Sequence, residues 1–237
     1  MRYDTVLFDA DGTLLDFLKS EHEALSEALF ELGAKPDDAM IRRYSEINDG
    51  LWRMLEKGEI TKPQLMVRRF ELLAEEYGLS IDPVTLGERY VKALSGKGYC
   101  IAGAHELCRR LYGKVRMYIV TNGTEWIQRG RWAVSGLDGY FDGLFISDLV
   151  GYTKPDVRFF EAVEREIPQF CRERTLIVGD SLSSDMKGGI NFGIDTCWFC
   201  PGEKQAPEEI ASRLTYRIGT LEELPALLEL VEKECDG

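Results

Sequence analysis

The second half of the chain alternates short apolar runs with amphipathic segments. The apolar runs are too short for buried helices, and apolar residues recur at helical spacing in the gaps between them. Repeated alternation of this kind indicates a parallel β-sheet with helices on both faces. The predicted strands are 115–120, 144–147, 174–179, 195–199 and 216–218, and the predicted helices are 104–112, 125–135, 156–166, 184–192, 208–213 and 221–234.

Residues 20–95 follow a different pattern, with helical spacing throughout and almost no strand signal. A capping box at 20–23, Ser-Glu-His-Glu, predicts the start of the first helix, and Gly33 predicts its end. Three further helices are predicted at 37–57, 62–77 and 83–95. This block is therefore expected to form a helical domain.

One more apolar strand, at 5–9, precedes the helical block. Its apolar residues would have no core of their own, so we assign it to the later sheet. The helical block is then an insertion into an α/β fold. The predicted domains are an α/β core at 1–16 and 100–237 and a helical domain at 17–99, joined by a hinge that contains Gly96 and Gly98.

Composition narrows the class of partner. The formal charge of −12 over 237 residues argues against DNA or RNA, because binding them depends on Lys and Arg that neutralise phosphates. No apolar run approaches the roughly 20 residues of a membrane span, so no membrane partner is expected. The N-terminus leads directly into the first strand, which leaves no room for a signal peptide. The six cysteines are interpreted as reduced and structural, which predicts a cytoplasmic protein.

Two aspartates end the first predicted strand. Asp9 and Asp11 follow Val6-Leu7-Phe8 and lead into a Gly-Thr turn. Burying an unpaired carboxylate is costly, and two carboxylates close together shift their pKa values or recruit a cation. The pair therefore predicts a hard metal ion at the carboxyl end of the strand, where ligands of α/β sheets collect.

Other strand ends also carry polar residues. Thr121, Asn122 and Gly123 follow the second strand, Lys154 follows the third, and Asp180 ends the fourth with Asp185 five residues later. Each feature alone matches an ordinary helix cap or loop residue. Together they would converge at one edge of the sheet, which favours a shared site.

This series resembles the four motifs of the haloacid dehalogenase superfamily of phosphohydrolases. The motifs stand here in the same order, as 9–13 (Asp-Ala-Asp-Gly-Thr), Thr121, Lys154, and Gly179-Asp180 with Asp185. The resemblance implies a Rossmann-like core with a helical cap inserted after the first motif. Since a leaving halide needs no proton, the second aspartate of the first motif favours phosphate ester chemistry over dehalogenation.

The resemblance also implies roles for the residues that match it. Asp9 is the expected nucleophile and forms an aspartyl-phosphate, while Asp11 acts as general acid and then as general base. Thr121 and Lys154 are expected to hold the phosphoryl oxygens, with main-chain amides at 122–123 as further donors.

The expected cofactor is Mg²⁺, bound by Asp9, Asp180 and the main-chain carbonyl of Asp11. Asp185 is expected to orient a metal-bound water.

The predicted cap is expected to select the leaving group. Its Asn48-x-x-Leu51-Trp52 run resembles the bacterial pyrimidine 5′-nucleotidase branch, which implies a nucleoside monophosphate as substrate with Asn48, Trp52, Asn122 and Gly123 in contact with it. Gly12 departs from that branch, which often has a larger residue there. In a small helical domain, however, a tryptophan such as Trp52 is more often a core residue than a platform for a base.

Two alternatives remain open at the level of sequence. One is a phosphatase for sugar phosphates or phosphoglycolate, or a phosphomutase. The other is a non-catalytic regulatory protein that binds phosphate, against which the completeness of the motif set argues.

Overall fold

The centre of the protein is a six-stranded parallel sheet. The computed structural model describes residues 2–230. All six predicted strands are present with ends within one residue of prediction, so the predicted α/β fold with a Rossmann-like parallel sheet is confirmed. The strands are β1 (Thr5–Phe8), β2 (Arg116–Thr121), β3 (Gly143–Ile146), β4 (Thr175–Gly179), β5 (Asp195–Phe199) and β6 (Tyr216–Ile218).

The strand order is β3-β2-β1-β4-β5-β6, with β1 between β2 and β4. The chain moves away from β1 in one direction and then returns to build the sheet on its other side. Open α/β sheets form a ligand crevice at such a reversal, outside the carboxyl ends of the strands. Asp9 is the first residue beyond β1 and so lies at this crevice.

The contacts of the chain divide it into two compact units. The first comprises 1–16, 100–125 and 135–237, and the second comprises 17–99 and 126–134. Among the described residues, six α-helices lie wholly within the first unit, and helix α6 (Glu125–Ser135) is described below. The six are α5 (Ala104–Leu111), α7 (Ser147–Val150), α8 (Val157–Glu166), α9 (Lys187–Phe192), α10 (Glu208–Ala211) and α11 (Leu224–Leu230). The short helix α7 was not predicted. The predicted helix 221–234 consists of a 3₁₀ turn and α11, and its last four residues lie outside the described range.

The second unit is built on four helices, α1 (Phe17–Glu31), α2 (Asp38–Glu56), α3 (Lys62–Tyr77) and α4 (Pro83–Ser95). Three aromatic side chains from α2, α3 and α4 meet in its core. Tyr44 stacks on Phe70 with ring centroids 5.4 Å apart, and Tyr90 lies 5.4 Å from Phe70 and 5.6 Å from Tyr44. Aromatic pairs at such distances stabilise a core beyond the area they bury.

The predicted start of α1 is wrong. The helix begins at Phe17, so Ser20 lies inside it and does not cap it. The Ser20 side chain is buried, and its hydroxyl donates to the carbonyl of Lys97 at 3.1 Å. Because that partner is 77 residues away in the chain, the local serine-to-glutamate spacing could not reveal it.

Helix α6 (Glu125–Ser135) connects the two units, since its residues 126–134 cluster with the second one. The sequence-based boundaries had placed this segment in the α/β core. Arg131 of α6 is fully buried and donates from Nε to the carbonyl of Lys97 at 3.0 Å. Gly130 allows α6 to approach the end of α4 closely, because a Cβ at that position would lie 2.5 Å from the carbonyl oxygen of Ser95.

Among residues 2–230, no helix combines the length and the hydropathy that crossing a membrane requires. The cytoplasmic location stays a prediction.

Candidate functional site

The side chain of Lys154 is the centre of a buried polar cluster at the carboxyl ends of the strands. It is 1% exposed, and its Nζ lies 2.6 Å from Asp9 Oδ1, from Asp185 Oδ1 and from the carbonyl oxygen of Val120. An ammonium group has three hydrogens, so these protein acceptors account for all of them. Burial acts to lower the pKa of Lys154, but the two carboxylates outweigh it and the pKa is raised.

Asp9 is held by both its main chain and its side chain. Its N–H donates to the carbonyl of Val178 at 2.9 Å, which extends the pairing of β1 with β4 by one residue. Burial raises the pKa of the Asp9 carboxyl well above its ordinary value, Lys154 lowers it, and the charges of Asp185 and Asp180 raise it further. The net direction of the pKa is upward because burial is the largest of these effects, and the two neighbouring carboxylates add to it.

Asp185 lies on a π-helical turn (Leu182–Met186) that follows β4. Its side chain is fully buried, with Oδ1 on Lys154 at 2.6 Å and Oδ2 accepting from the N–H of Ser181 at 3.1 Å. Gly179 makes room for it, because a Cβ there would lie 2.3 Å from Asp185 Oδ2. Both carboxylate oxygens are therefore engaged by the protein.

Asp180 completes a set of three carboxylates suited to a metal ion. One oxygen from each of Asp9, Asp180 and Asp185 lies within 4.8 Å of the others, and Asp180 is the exposed member. Burial of most of its atoms raises the pKa of the Asp180 carboxyl, and the charge of Asp185 raises it further. Part of the residue is nevertheless exposed to solvent. With all three carboxylates ionised and Lys154 counted, the cluster would carry two excess negative charges.

The donor set fits Mg²⁺. Every side-chain donor is a carboxylate oxygen, the kind of ligand that this hard cation prefers, and a divalent cation would balance the excess charge. The first-motif turn also makes room for the exposed carboxylate. Gly12 has a φ of +83°, and a Cβ on it would lie 2.6 Å from Asp180 Oδ2. A larger residue at position 12 would displace Asp180 from its place in this structure.

Asp11 lies on the tight turn that follows β1. The N–H groups of Leu14 and Leu15 both donate to the Ala10 carbonyl, and the Gly12 N–H donates to the Leu15 carbonyl. Asp11 is half-buried and close enough to Asp180 for its charge to contribute to the raised pKa of that residue. The turn thus keeps both first-motif aspartates at the same edge of the sheet.

Thr121 is the last residue of β2 and is buried. Since Phe8 pairs with Ile119, Thr121 lies at the same end of the sheet as Asp9. Its Oγ1 accepts a hydrogen bond from the N–H of Gly123 at 3.1 Å, which directs its own hydrogen elsewhere. The Gly123 N–H, expected to bind substrate, therefore has a partner within the protein.

Asn122 contacts Lys154 through both ends of its amide. The N–H of Lys154 donates to Asn122 Oδ1 at 2.8 Å, and Asn122 Nδ2 donates to the Lys154 carbonyl at 2.9 Å. The Ser147 hydroxyl donates to the Asn122 carbonyl at 3.1 Å. This pattern favours a role in positioning Lys154, where the sequence had suggested contact with substrate.

The two predicted substrate residues of the cap lie in the second unit. Asn48 is buried in a polar network that was not predicted, in which its Nδ2 donates to Glu21 Oε1 at 2.9 Å and its Oδ1 accepts from Arg69 at 3.2 Å. Trp52 is half-buried, with Lys62 Nζ 5.8 Å from its ring centroid. Their contact with substrate stays a prediction.

Comparison with known proteins shows which family the chain resembles. A family model described as haloacid dehalogenase-like hydrolase matches residues 3–193. HAD-hydrolase YfnB of Bacillus subtilis is 40% identical over 229 residues, which are 97% of each chain. A crystal structure of YfnB bound to magnesium has a TM-score of 0.91 and covers 96% of this chain and 99% of its own.

Two further relatives are pyrimidine 5′-nucleotidases. PynA of Streptococcus pneumoniae is 41% identical over 202 residues, which are 85% of each chain. YjjG of Escherichia coli is 34% identical over 228 residues, which are 96% of this chain and 99% of YjjG.

Proposed function

Since the chain belongs to the haloacid dehalogenase-like hydrolase family, we propose that it is a Mg²⁺-dependent phosphatase that acts on nucleoside 5′-monophosphates through a phosphorylated Asp9. The observation that carries the proposal is the buried cluster in which Lys154 Nζ lies 2.6 Å from both Asp9 and Asp185. The nucleotide is supported by the similarity to PynA and YjjG.

The residues that would hold Mg²⁺ are Asp9, Asp180 and the main-chain carbonyl of Asp11. Asp185 is not included among these ligands, because Lys154 and Ser181 already engage both of its oxygens. It would act indirectly, either on a water bound to the metal or, through its neighbours, on the carboxylates that bind the metal. When bound, Mg²⁺ supplies positive charge to the phosphoryl group and to the nucleophilic carboxylate.

In the first step, a carboxylate oxygen of Asp9 attacks phosphorus, and the bond from phosphorus to the ester oxygen breaks. Lys154 fixes the rotation of the nucleophile by holding Oδ1. Asp11 in its protonated form donates a proton to the departing oxygen, so the leaving group departs as an alcohol. The product is an acyl phosphate on Asp9, which divides a difficult displacement into two easier ones.

In the second step, the Asp11 carboxylate removes a proton from water as the water oxygen attacks phosphorus. The bond between phosphorus and Asp9 breaks, inorganic phosphate leaves, and both aspartates return to their starting protonation states. Thr121 would donate its hydroxyl hydrogen to a phosphoryl oxygen in both steps, because Gly123 occupies its acceptor side.

The first test is Asp9→Asn, assayed by phosphate release from an aryl phosphate with Mg²⁺. We expect loss of at least a thousandfold in kcat, because an amide cannot form the acyl phosphate. Asp38→Asn is the matched control, since that side chain is 81% exposed on α2. Turnover by the Asp9 variant at the control's rate would eliminate the proposed mechanism.

The second test is a panel of phosphate monoesters compared by kcat/KM. We expect pyrimidine nucleoside 5′-monophosphates to be the best substrates, with purine nucleotides, sugar phosphates and phosphoglycolate below them. A clear preference for a sugar phosphate would keep the phosphatase and reject the nucleotidase. Absence of Mg²⁺-dependent hydrolysis across the panel would support the non-catalytic alternative.

A further inference from the structure

Trp198 of β5 is joined to the candidate metal site by one hydrogen bond. Its side chain is 3% exposed, and its indole Nε1 donates to the main-chain carbonyl of Asp180 at 2.9 Å. The main chain of Trp198 pairs with Gly179 in the parallel ladder of β4 and β5. Its indole thus contacts the residue that follows its main-chain partner. No step of the proposed mechanism uses this contact.

The bond matters because of where β4 ends. Gly179 is the last residue of the strand, so the ladder of main-chain hydrogen bonds stops just before Asp180. A main-chain carbonyl at such a point needs a partner from a side chain or from water to hold its orientation. The indole N–H provides one, and phenylalanine or leucine at position 198 could not.

Asp180 is also restrained at its other end. Its carboxylate lies against Gly12, where a Cβ would come within 2.6 Å of Oδ2, and the Thr13 hydroxyl lies 3.5 Å from Oδ1. A carboxylate in this setting has little room to compensate if its main chain rotates. A rotation of the Asp180 main chain would therefore change the direction of this exposed carboxylate.

The outer side of the indole is covered by Arg217 of β6, whose guanidinium carbon lies 5.0 Å from the ring centroid. Arg217 itself is held in place by donating from Nη2 to the carbonyl oxygens of Gly202 at 3.1 Å and Lys204 at 2.9 Å. The arrangement packs the ring independently of its N–H. Packing and hydrogen bonding by Trp198 can therefore be separated by substitution.

We propose that Trp198 is a positioning residue, whose indole N–H fixes the main chain of Asp180 and so aims its carboxylate at the metal ion. This inference rests on the proposed function, because it assumes that Asp180 is a metal ligand. It adds that the affinity for the metal depends on a residue from the neighbouring strand that does not touch the ion.

The test is Trp198→Phe, which keeps an aromatic ring and removes the donor. Calorimetric titration of the whole protein with Mg²⁺, without substrate, should show Kd raised about tenfold, as is typical for loss of a contact that orients a metal ligand. The kcat at saturating Mg²⁺ should stay within a few-fold of the wild type, while the Mg²⁺ concentration for half-maximal activity rises in parallel. Arg217→Met, which alters the packing on the ring and keeps the N–H, should leave Kd within about twofold.

A second measurement is made on the wild type and does not depend on the folding of Trp198→Phe. In wild-type protein labelled with ¹⁵N at its four tryptophans, the Trp198 indole resonance should shift on addition of Mg²⁺ with the midpoint found by calorimetry. Assignment uses Phe substitutions at the other three positions. A Trp198 resonance that does not respond while Mg²⁺ binds would refute the inference.

The two proposals fail in different ways. If the wild type binds no Mg²⁺, the metal site itself is wrong, and the proposed function fails with it. If the wild type binds Mg²⁺ and Trp198→Phe binds it equally well, only the role of Trp198 is wrong. A Kd raised as much by Arg217→Met as by Trp198→Phe would assign the effect to packing, which also overturns the inference.

Discussion

Substitution of Glu21 by Gln should remove a loss of stability that the second unit undergoes as the pH rises. Glu21 is 1% exposed on α1, with Asn48 Nδ2 donating to Oε1 at 2.9 Å and the Ser45 hydroxyl donating to Oε2. Burial raises the pKa of the Glu21 carboxyl to about 7; the charge of Asp49 adds to the rise, while the Ser45 bond and the charge of Arg69 oppose it. The carboxyl thus takes up a proton under conditions where an ordinary glutamate remains ionised.

The effect on stability follows from the two pKa values. An acid with a higher pKa in the folded state binds more protons when folded than when unfolded, so stability falls as the pH rises. The fall begins near the unfolded value of 4.5 and is complete above the folded value of about 7. Each unit of difference is worth about 1.4 kcal/mol, so ionisation of Glu21 costs the folded state about 3 kcal/mol at pH 8.

The assay is urea denaturation of the whole protein at about pH 5 and about pH 8, with hydrogen exchange of α1 and α2 amides to report on the second unit. Glu21→Gln should lose about 2.5 kcal/mol less than the wild type between these pH values, because part of the effect is already present at pH 5, and it should be the more stable protein at pH 8. Glu31→Gln, an exposed position at the end of the same helix, should keep the wild-type slope. Equal slopes for wild type and Glu21→Gln would refute the reasoning.

Three other substitutions test one pair of hydrogen bonds and two close backbone contacts, at the candidate site and in α6. Asn122→Ala removes two hydrogen bonds to the main chain of Lys154, so kcat for an aryl phosphate should fall at least tenfold; an unchanged kcat would contradict the positioning role. Gly12→Ala should raise the Mg²⁺ Kd at least tenfold in calorimetry, because its Cβ would meet a metal-site carboxylate. The control Gly33→Ala shares a φ near +80° with no atom nearby and should leave that Kd unchanged. Gly130→Ala places a Cβ against the last carbonyl of α4 and should lower the free energy of unfolding of the second unit by about 1–3 kcal/mol; Gly50→Ala, in open space on α2, should raise it by about 0.5–1 kcal/mol.

The elements were predictable where local pattern decides them. Strand β5 and helices α3 and α4 end at the predicted residues, because short apolar runs, an N-terminal proline and a terminal glycine are local signals. The start of α1 was not predictable, since the partner of Ser20 is a carbonyl 77 residues away. The assignment of 126–134 to the second unit has the same cause, because it depends on contacts of Arg131 with a distant loop.

The same distinction applies to the site. Residue type and position at strand ends indicated Asp9, Lys154 and Asp185 as neighbours, and the distances of 2.6 Å agree. The hydrogen-bond partners of Asn122 and Asn48 could not be predicted from residue type and position. Both amides looked available for substrate, yet each is used within the protein, by contacts across 32 residues for the first and 21 and 27 for the second.

The contacts of Lys154 refine how the site would treat a phosphate. Its three ammonium hydrogens meet Asp9, Asp185 and the Val120 carbonyl, each at 2.6 Å. A phosphoryl oxygen would have to displace one of these acceptors to gain a direct hydrogen bond, so under the proposed function the lysine would act on the substrate chiefly through its charge. That same charge opposes the burial that raises the pKa of Asp9, and so favours the ionised, nucleophilic form. Direct hydrogen bonding to the phosphoryl group would then fall to Thr121 and to main-chain amides, while Lys154 would supply buried positive charge in a protein whose net charge is −12.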